Sequence, residues 1–397
     1  MFSIKTKLDT NLKSAIKKNI YQKYRVIVHC KSLQEKIENK IKGYKCEIVC
    51  SITSIGCICC ILSSRIIEKL TEYPEIDYIT FDNYALLCGI SVLSANGINF
   101  DGKYKLTGKG VCIGIVDSGV YPHLDLKKPN NKITKFIDLV NNYNYPYDDN
   151  GHGTFISGII ASSGYCSKGM YKGIAEKSNI YMIKAFNSLG RGYTSSILSA
   201  IEILISDSEK YNIKIICLPF ELIDYDEFLL SLFSRLFDIA IEKNIIIIVP
   251  SGHNSNVENS MKGIALLKNC LTVGGIDTTS NKKAYAGSSS SPNNKLEKPD
   301  LCAACTDICS LNSNISYISE KNGQKLYPHP MERPYTTYTG TSCAAAYVSG
   351  VCALLYENNP NLTYNDVVSL LKLSCNLLNI PKALQGSGMI NLNKLLP

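Results

Sequence analysis

Tyr338-Thr339-Gly340-Thr341-Ser342-Cys343-Ala344-Ala345-Ala346-Tyr347-Val348-Ser349-Gly350 is a glycine turn, a serine, and a run of small residues opening into an apolar helical pattern. That order seats the Ser342 hydroxyl at a helix N-terminus, where backbone N–H groups point outward unpaired. A serine in such a seat is a candidate nucleophile, and a nucleophilic serine needs a base and a group to orient that base. Working outward from Ser342, the chain supplies both. Gly110-Val111-Cys112-Ile113-Gly114-Ile115-Val116-Asp117-Ser118-Gly119 reads as a buried strand that delivers Asp117 to its C-terminal edge, the side on which open α/β sheets carry their chemistry. Asp149-Asn150-Gly151-His152-Gly153-Thr154 places His152 in the first turn of a helix that its flanking glycines let pack closely.

Three blocks in the order Asp, His, Ser, namely Val116-Asp117-Ser118-Gly119, His152-Gly153-Thr154 and Gly340-Thr341-Ser342-x-Ala344, make the chain resemble the subtilisin-like serine proteases, or subtilases, and among them the intracellular, signal-less branch. The likeness runs from about Gly108 to the C-terminus. It implies an endopeptidase in which Ser342 attacks the scissile carbonyl, His152 moves the proton and Asp117 holds the imidazole. It also implies a second oxyanion donor beside the Ser342 N–H. The family places an asparagine there, whereas the matching stretch Pro250-Ser251-Gly252-His253-Asn254 puts His253 in that register and Asn254 one place later. Both remain candidates. The implied substrate groove has Gly190, Arg191 and Gly192 on one wall, with Pro219, Phe220, Glu221, Ser251 and Gly252 opposite. Glu221 and Arg191 suggest side pockets narrower or more charged than those of a digestive enzyme.

Strands are expected at 111–116, 180–186, 213–218, 245–250 and 270–273, and helices at 153–162, 194–206, 228–243 and 343–358. Alternating buried runs and helices argue for an α/β fold with a mostly parallel sheet covered on both faces. Before it, residues 24–82 read β-α-β-β-α-β, the ferredoxin-like arrangement. The resemblance makes residues 1–88 a prodomain, chaperone and inhibitor of the peptidase domain at 89–397. The apolar tail Ala85-Leu86-Leu87-Cys88-Gly89 suits a groove that binds by strand addition, so self-cleavage is expected near Leu87, Cys88 and Gly89.

Composition bounds the alternatives. Hydrophobic residues make up 45% and charged residues 19%, which gives ample core material. The net charge of +8 is dispersed: residues 1–88 hold 14 basic against 9 acidic side chains, without an Arg-rich patch, so no nucleic-acid partner is expected. The N-terminus lacks the apolar core of a signal peptide, and the apolar stretch 46–62 is too short and too interrupted to span a membrane. Seventeen cysteines without paired spacing fit reduced thiols in a cytoplasm. Cys302, Cys305 and Cys309 have metal-like spacing without an evident fourth ligand, so they read as buried thiols, and no metal or cofactor is expected. His123 reads as structural, and Ser288–Asn294 as a surface loop. The partners are a protein or peptide substrate and the chain's own prodomain. Two other functions fit the same groove, a pseudoprotease that binds peptides or proteases and a processing enzyme devoted to one precursor.

Overall fold

The computed structural model describes residues 7–82, 90–98, 105–222, 227–291 and 297–397. Leu87, Cys88 and Gly89 therefore lie outside the described residues. The chain divides into two compact units, Met1–Cys88 and Gly89–Pro397.

In the first unit the strands Tyr24–Cys30, Glu47–Ile52, Cys57–Leu62 and Ile76–Phe81 form an antiparallel sheet in which the first lies between the third and fourth, and the second is at the edge. Helices Gln34–Gly43 and Ser64–Thr71 supply the crossovers, the ferredoxin-like topology. Strand residues Val26 and Val28 alternate inward and meet Ile37, Ile41, Ile67 and Leu70 from the helices. An additional helix, Thr10–Lys17, has Asp9 as its N-cap, accepting from the Leu12 N–H at 2.9 Å. Its inward face, Leu12 and Ile16, completes this core.

The second unit is built on a ten-stranded sheet. From one edge the order is Cys375–Asn376, Met389–Ile390, Leu301–Ala304, Leu271–Asp277, Ile246–Pro250, Ile213–Cys217, Cys112–Asp117, Asn179–Lys184 and Ile133–Asp138, with Lys283–Ala284 paired onto the fourth of these. From Met389–Ile390 to Ile133–Asp138 every pairing is parallel. The period of two sorts side chains to opposite layers. Ile113, Ile115, Ile246 and Ile248 join the core under helices His152–Ala161 and Thr341–Asn358, while Cys112, Val116, Ile247 and Val249 face Thr194–Ser206 and Glu227–Glu242. Both faces being buried explains why these strands read as unbroken apolar runs.

Helix Thr341–Asn358 is buried along almost its whole length, and its small residues make that possible. A Cβ at Gly350 would collide with the Ile174 side chain, and one at Gly158 with Ser310 and Leu311. Small residues on the two helices that carry Ser342 and His152 thus let both pack closely against their neighbours.

Two expectations are corrected. Ser288, Ser289, Ser290 and Ser291 are buried, not on a surface loop, and residues 292–294 of that stretch lie outside the described residues. The hydroxyls serve backbone donors, since Ser288 Oγ accepts from the Gly275 N–H at 3.0 Å and Ser289 Oγ from the Asn254 N–H at 2.9 Å. Ser251, expected in the groove, is fully buried with its Oγ 3.1 Å from Ser288 Oγ.

Candidate active site

Asp117 ends the strand Cys112–Asp117 and is 5% exposed by its side chain, and His152 opens its helix with 23% exposed. The Nδ1 of His152 lies 2.9 Å from each Asp117 oxygen. Two glycines permit this. Gly151 precedes the helix with φ +102°, and a Cβ on Gly153 would run into the Gly119 carbonyl and press on Asp117. Helix and strand end therefore approach more closely than any larger residue allows.

Burial alone pushes the His152 pKa down. The charge and hydrogen bond of Asp117, with a smaller contribution from Asp148, more than offset it, so the imidazole titrates above its ordinary value. The Tyr338 ring and the imidazole pack edge to face at 5.8 Å between centroids.

Ser342 is the second residue of its helix, so its N–H belongs to the first turn, which has no intrahelical acceptor. Its Oγ donates to the Pro219 carbonyl at 2.8 Å. Among the described residues no hydrogen bond joins Ser342 to His152. Asp117, His152 and Ser342 nevertheless line one cavity of about 320 Å³.

Of the expected groove residues, Gly190, Pro219, Phe220, Glu221 and Gly252 line that cavity, and Arg191, Gly192 and Ser251 do not. Arg191 closes an exposed turn with Asn187, and Gly192 packs under Ala185 and Phe186, where a Cβ would clash. The two oxyanion candidates separate. His253 is on the lining, its ring 5.7 Å from that of Tyr285. The Asn254 side-chain amide donates to Glu221 Oε2 at 3.1 Å, and the same oxygen accepts the His253 N–H at 3.0 Å.

Sequence reasoning missed Asp148. Fully buried, it accepts from the Gly151 and Thr154 N–H groups, both at 2.8 Å, from Thr154 Oγ1 at 2.6 Å and from Ser118 Oγ at 2.9 Å. A carboxylate at a helix N-terminus is favoured by the exposed donors there, and this one fastens the His152 helix to the turn after Asp117. Its signal is an acidic residue four positions before the histidine.

His123 is 2% exposed, with Nδ1 accepting from the Asp125 N–H at 3.1 Å and Nε2 facing the Pro334 carbonyl at 2.9 Å. Both nitrogens are occupied, which leaves it no free lone pair, although Asp125 and Cys166 stand within metal-binding reach. Cys302, Cys305 and Cys309 are buried, and burial pushes the Cys305 thiol up to about 12 and that of Cys309 to about 11. Buried neutral thiols are poor ligands and poor nucleophiles.

Residues 108–388 match the model of the Subtilase family. Serine protease AprX of Bacillus subtilis is 34% identical over 278 residues, 67% of this chain and 61% of that protein. This chain therefore spans less than two thirds of the length of AprX. Subtilisin DY of Bacillus licheniformis is 25% identical over 315 residues, 76% of this chain and 96% of that protein. Among solved structures, sphericase superposes with a TM-score of 0.60 at 21% identity, covering 74% of this chain and 91% of that one. Fervidolysin from Fervidobacterium pennivorans gives 0.59 at 18% identity, covering 94% of this chain and 61% of that one. At such identities these two speak for the fold alone.

Proposed function

The chain belongs to the subtilase family, and from that premise we propose that it is a working serine endopeptidase with Ser342 as nucleophile, His152 as general base and Asp117 as the orienting carboxylate. The observation that carries this reading is the two-oxygen contact of Asp117 with His152 Nδ1, in the cavity that also holds Ser342. With Nδ1–H donated to Asp117, Nε2 is left with a lone pair for the serine proton. Ser342 Oγ attacks the carbonyl carbon, its proton passes to His152, and collapse of the tetrahedral intermediate returns that proton to the leaving amine. Water then repeats the sequence on the acyl-enzyme. The oxyanion is held by the Ser342 N–H and, as second donor, by His253.

Residues 1–88 act in this reading as an intramolecular chaperone and inhibitor. Support comes from their separate core and from the apolar tail that ends at Leu87, Cys88 and Gly89. The free, mostly buried thiols favour a reducing, cytoplasmic setting. No helix among the described residues is long and apolar enough to cross a membrane.

The test is reaction with a fluorophosphonate serine probe, followed by intact mass. The expected result is one adduct on Ser342 and a chain shortened near residue 88, with Ser342→Ala unlabelled and uncut. A parent that is neither labelled nor cut would leave a peptide-binding pseudoprotease as the better reading.

The groove makes a second prediction. Glu221 faces the cavity with no cation partner among the described residues, held by two donors on one oxygen. Peptides with Lys or Arg before the cut should be cleaved faster than those with Asp or Glu there. Glu221→Gln should shrink that ratio about fivefold, the scale of one partly solvated ion pair. A preference profile unchanged in Glu221→Gln would remove Glu221 from specificity. Self-cleavage at the uncharged Leu87–Gly89 stretch does not depend on this contact, because a tethered substrate has a high effective concentration.

A further inference from the structure

Lys184 stands directly across the sheet from Asp117, the two paired in register on neighbouring parallel strands. It is fully buried. Its ammonium donates to the Ser118 carbonyl at 2.6 Å, to Asp149 Oδ1 at 2.6 Å and to the Phe186 carbonyl at 2.8 Å. An ammonium has three N–H groups, so its capacity is filled. A cation is tolerated out of water only when paired and fully hydrogen-bonded in this way.

The three acceptors come from three separately built segments. Ser118 follows Asp117, Asp149 lies three residues before His152, and Phe186 begins the segment that leads to Gly190 on the cavity wall. Tyr147 covers the ammonium from the same loop as Asp149, its ring centroid 5.0 Å from Nζ. Where Asp117 meets His152 depends on how the turn after the strand docks on the loop before the helix. Ser118 bonded to Asp148 ties them, the Val120 N–H donating to the Tyr147 carbonyl at 2.9 Å ties them again, and Lys184 adds the only cationic tie among those the described residues show.

We propose that Lys184 is a positioning residue for catalysis, a buried cationic clamp that holds the Asp117 turn and the His152 loop at the separation the proton transfer needs. The proposal rests on the triad reading above and fails separately from it.

The clamp also sets charge balance. The charged or polar groups around His152 are Asp117, Asp148, the Tyr338 ring and Asn150, whose Oδ1 accepts the His152 N–H at 3.2 Å, with Ser342, Glu221 and His253 lining the same cavity and the Lys184–Asp149 ion pair behind the Asp117 turn. Removing the ammonium leaves Asp149 unpaired and adds a net negative charge near the imidazole, which favours its protonated form.

Kinetics on Lys184→Met, Asp149→Asn and the double variant, each across pH, test the clamp. For Lys184→Met the expected loss is about 30-fold in kcat with KM within about threefold, since a misplaced base costs rate more than binding. The rising limb of kcat/KM against pH should move to higher pH. In the double variant the limb should return to its parental position while kcat stays low, because the charge is balanced again but the tie is gone. Asp149→Asn keeps Lys184 bonded to two carbonyls, so it remains folded if Lys184→Met does not. It should lose about fivefold in kcat through the weakened tie, with the limb shifted to lower pH. A parental kcat in Asp149→Asn, or full recovery of kcat in the double variant, would overturn the clamp. An inactive parent would sink the triad reading instead.

Discussion

Asp117→Asn is expected to lower kcat by roughly 10⁴-fold with little change in KM or thermal midpoint, the scale known for such a replacement in a serine protease triad. The local hydrogen bonds say why. Asp117 Oδ1 already accepts the Ser118 N–H at 2.6 Å. With a carboxamide in place of the carboxylate, the carbonyl oxygen stays with that donor, so the NH₂ turns toward His152 Nδ1. The ring must then accept at Nδ1 and carry its proton on Nε2, where it has no lone pair for the serine. The fold should survive, because Asp148 and Lys184 still tie the same segments together.

The same substitution has a signed effect on pH dependence. In the proposed mechanism the base is neutral imidazole, so kcat/KM should rise with pH through the His152 pKa, which Asp117 holds above the ordinary value. Parental activity should therefore be half-maximal above pH ~6.5. In Asp117→Asn the residual activity should reach half its plateau at lower pH, since the raising charge is gone. A variant within about tenfold of the parent, or a limb moved upward, would contradict the assigned role.

The residues proposed to carry this chemistry differ in how openly the chain announces them. Asp117, His152 and Ser342 each sit at the end of a regular element within two residues of a glycine, so a few neighbouring residues define their setting. Lys184 does not: it ends an apolar strand, and its partner Ser118 is 66 positions away. Asp148 and Ser118 are 30 apart. Tertiary contacts over such distances leave no local pattern to read.

The fold shows the same division. Double burial makes the inner strands conspicuous, whereas Ile133–Asp138 escapes notice because it is the sheet edge and includes exposed positions such as Thr134 and Lys135. Leu301–Ala304 escapes because a strand of four residues is at the lower limit of what signals one. Ser288–Ser291 misleads by composition. Serine is polar, but a hydroxyl is at home in a core when a backbone N–H needs an acceptor.

His253→Ala is the second substitution with a large expected effect, about 100- to 1000-fold in kcat, the range for loss of one oxyanion donor. KM should hardly change, because the charge that this donor serves exists in the transition state and not in bound substrate. Two candidates stand side by side in the sequence, and Glu221 separates them. Its Oε2 takes the Asn254 amide, while Ser289 takes the Asn254 N–H, so Asn254 is committed to the loop's own structure. His253 gives only its backbone N–H to Glu221, lines the cavity, and packs its ring against Tyr285. A neutral imidazole carries one N–H, enough for one oxyanion bond. Asn254→Ala should thus act through loop stability, with kcat within about threefold of the parent because no transition-state donor is removed. His253→Asn, which retains a side-chain donor at the same backbone position, should recover most of the rate lost in His253→Ala. If Asn254→Ala proves the costlier of the two, the loop must rearrange on substrate binding and Glu221 must release the Asn254 amide to the oxyanion, which would make Glu221→Gln an activating substitution.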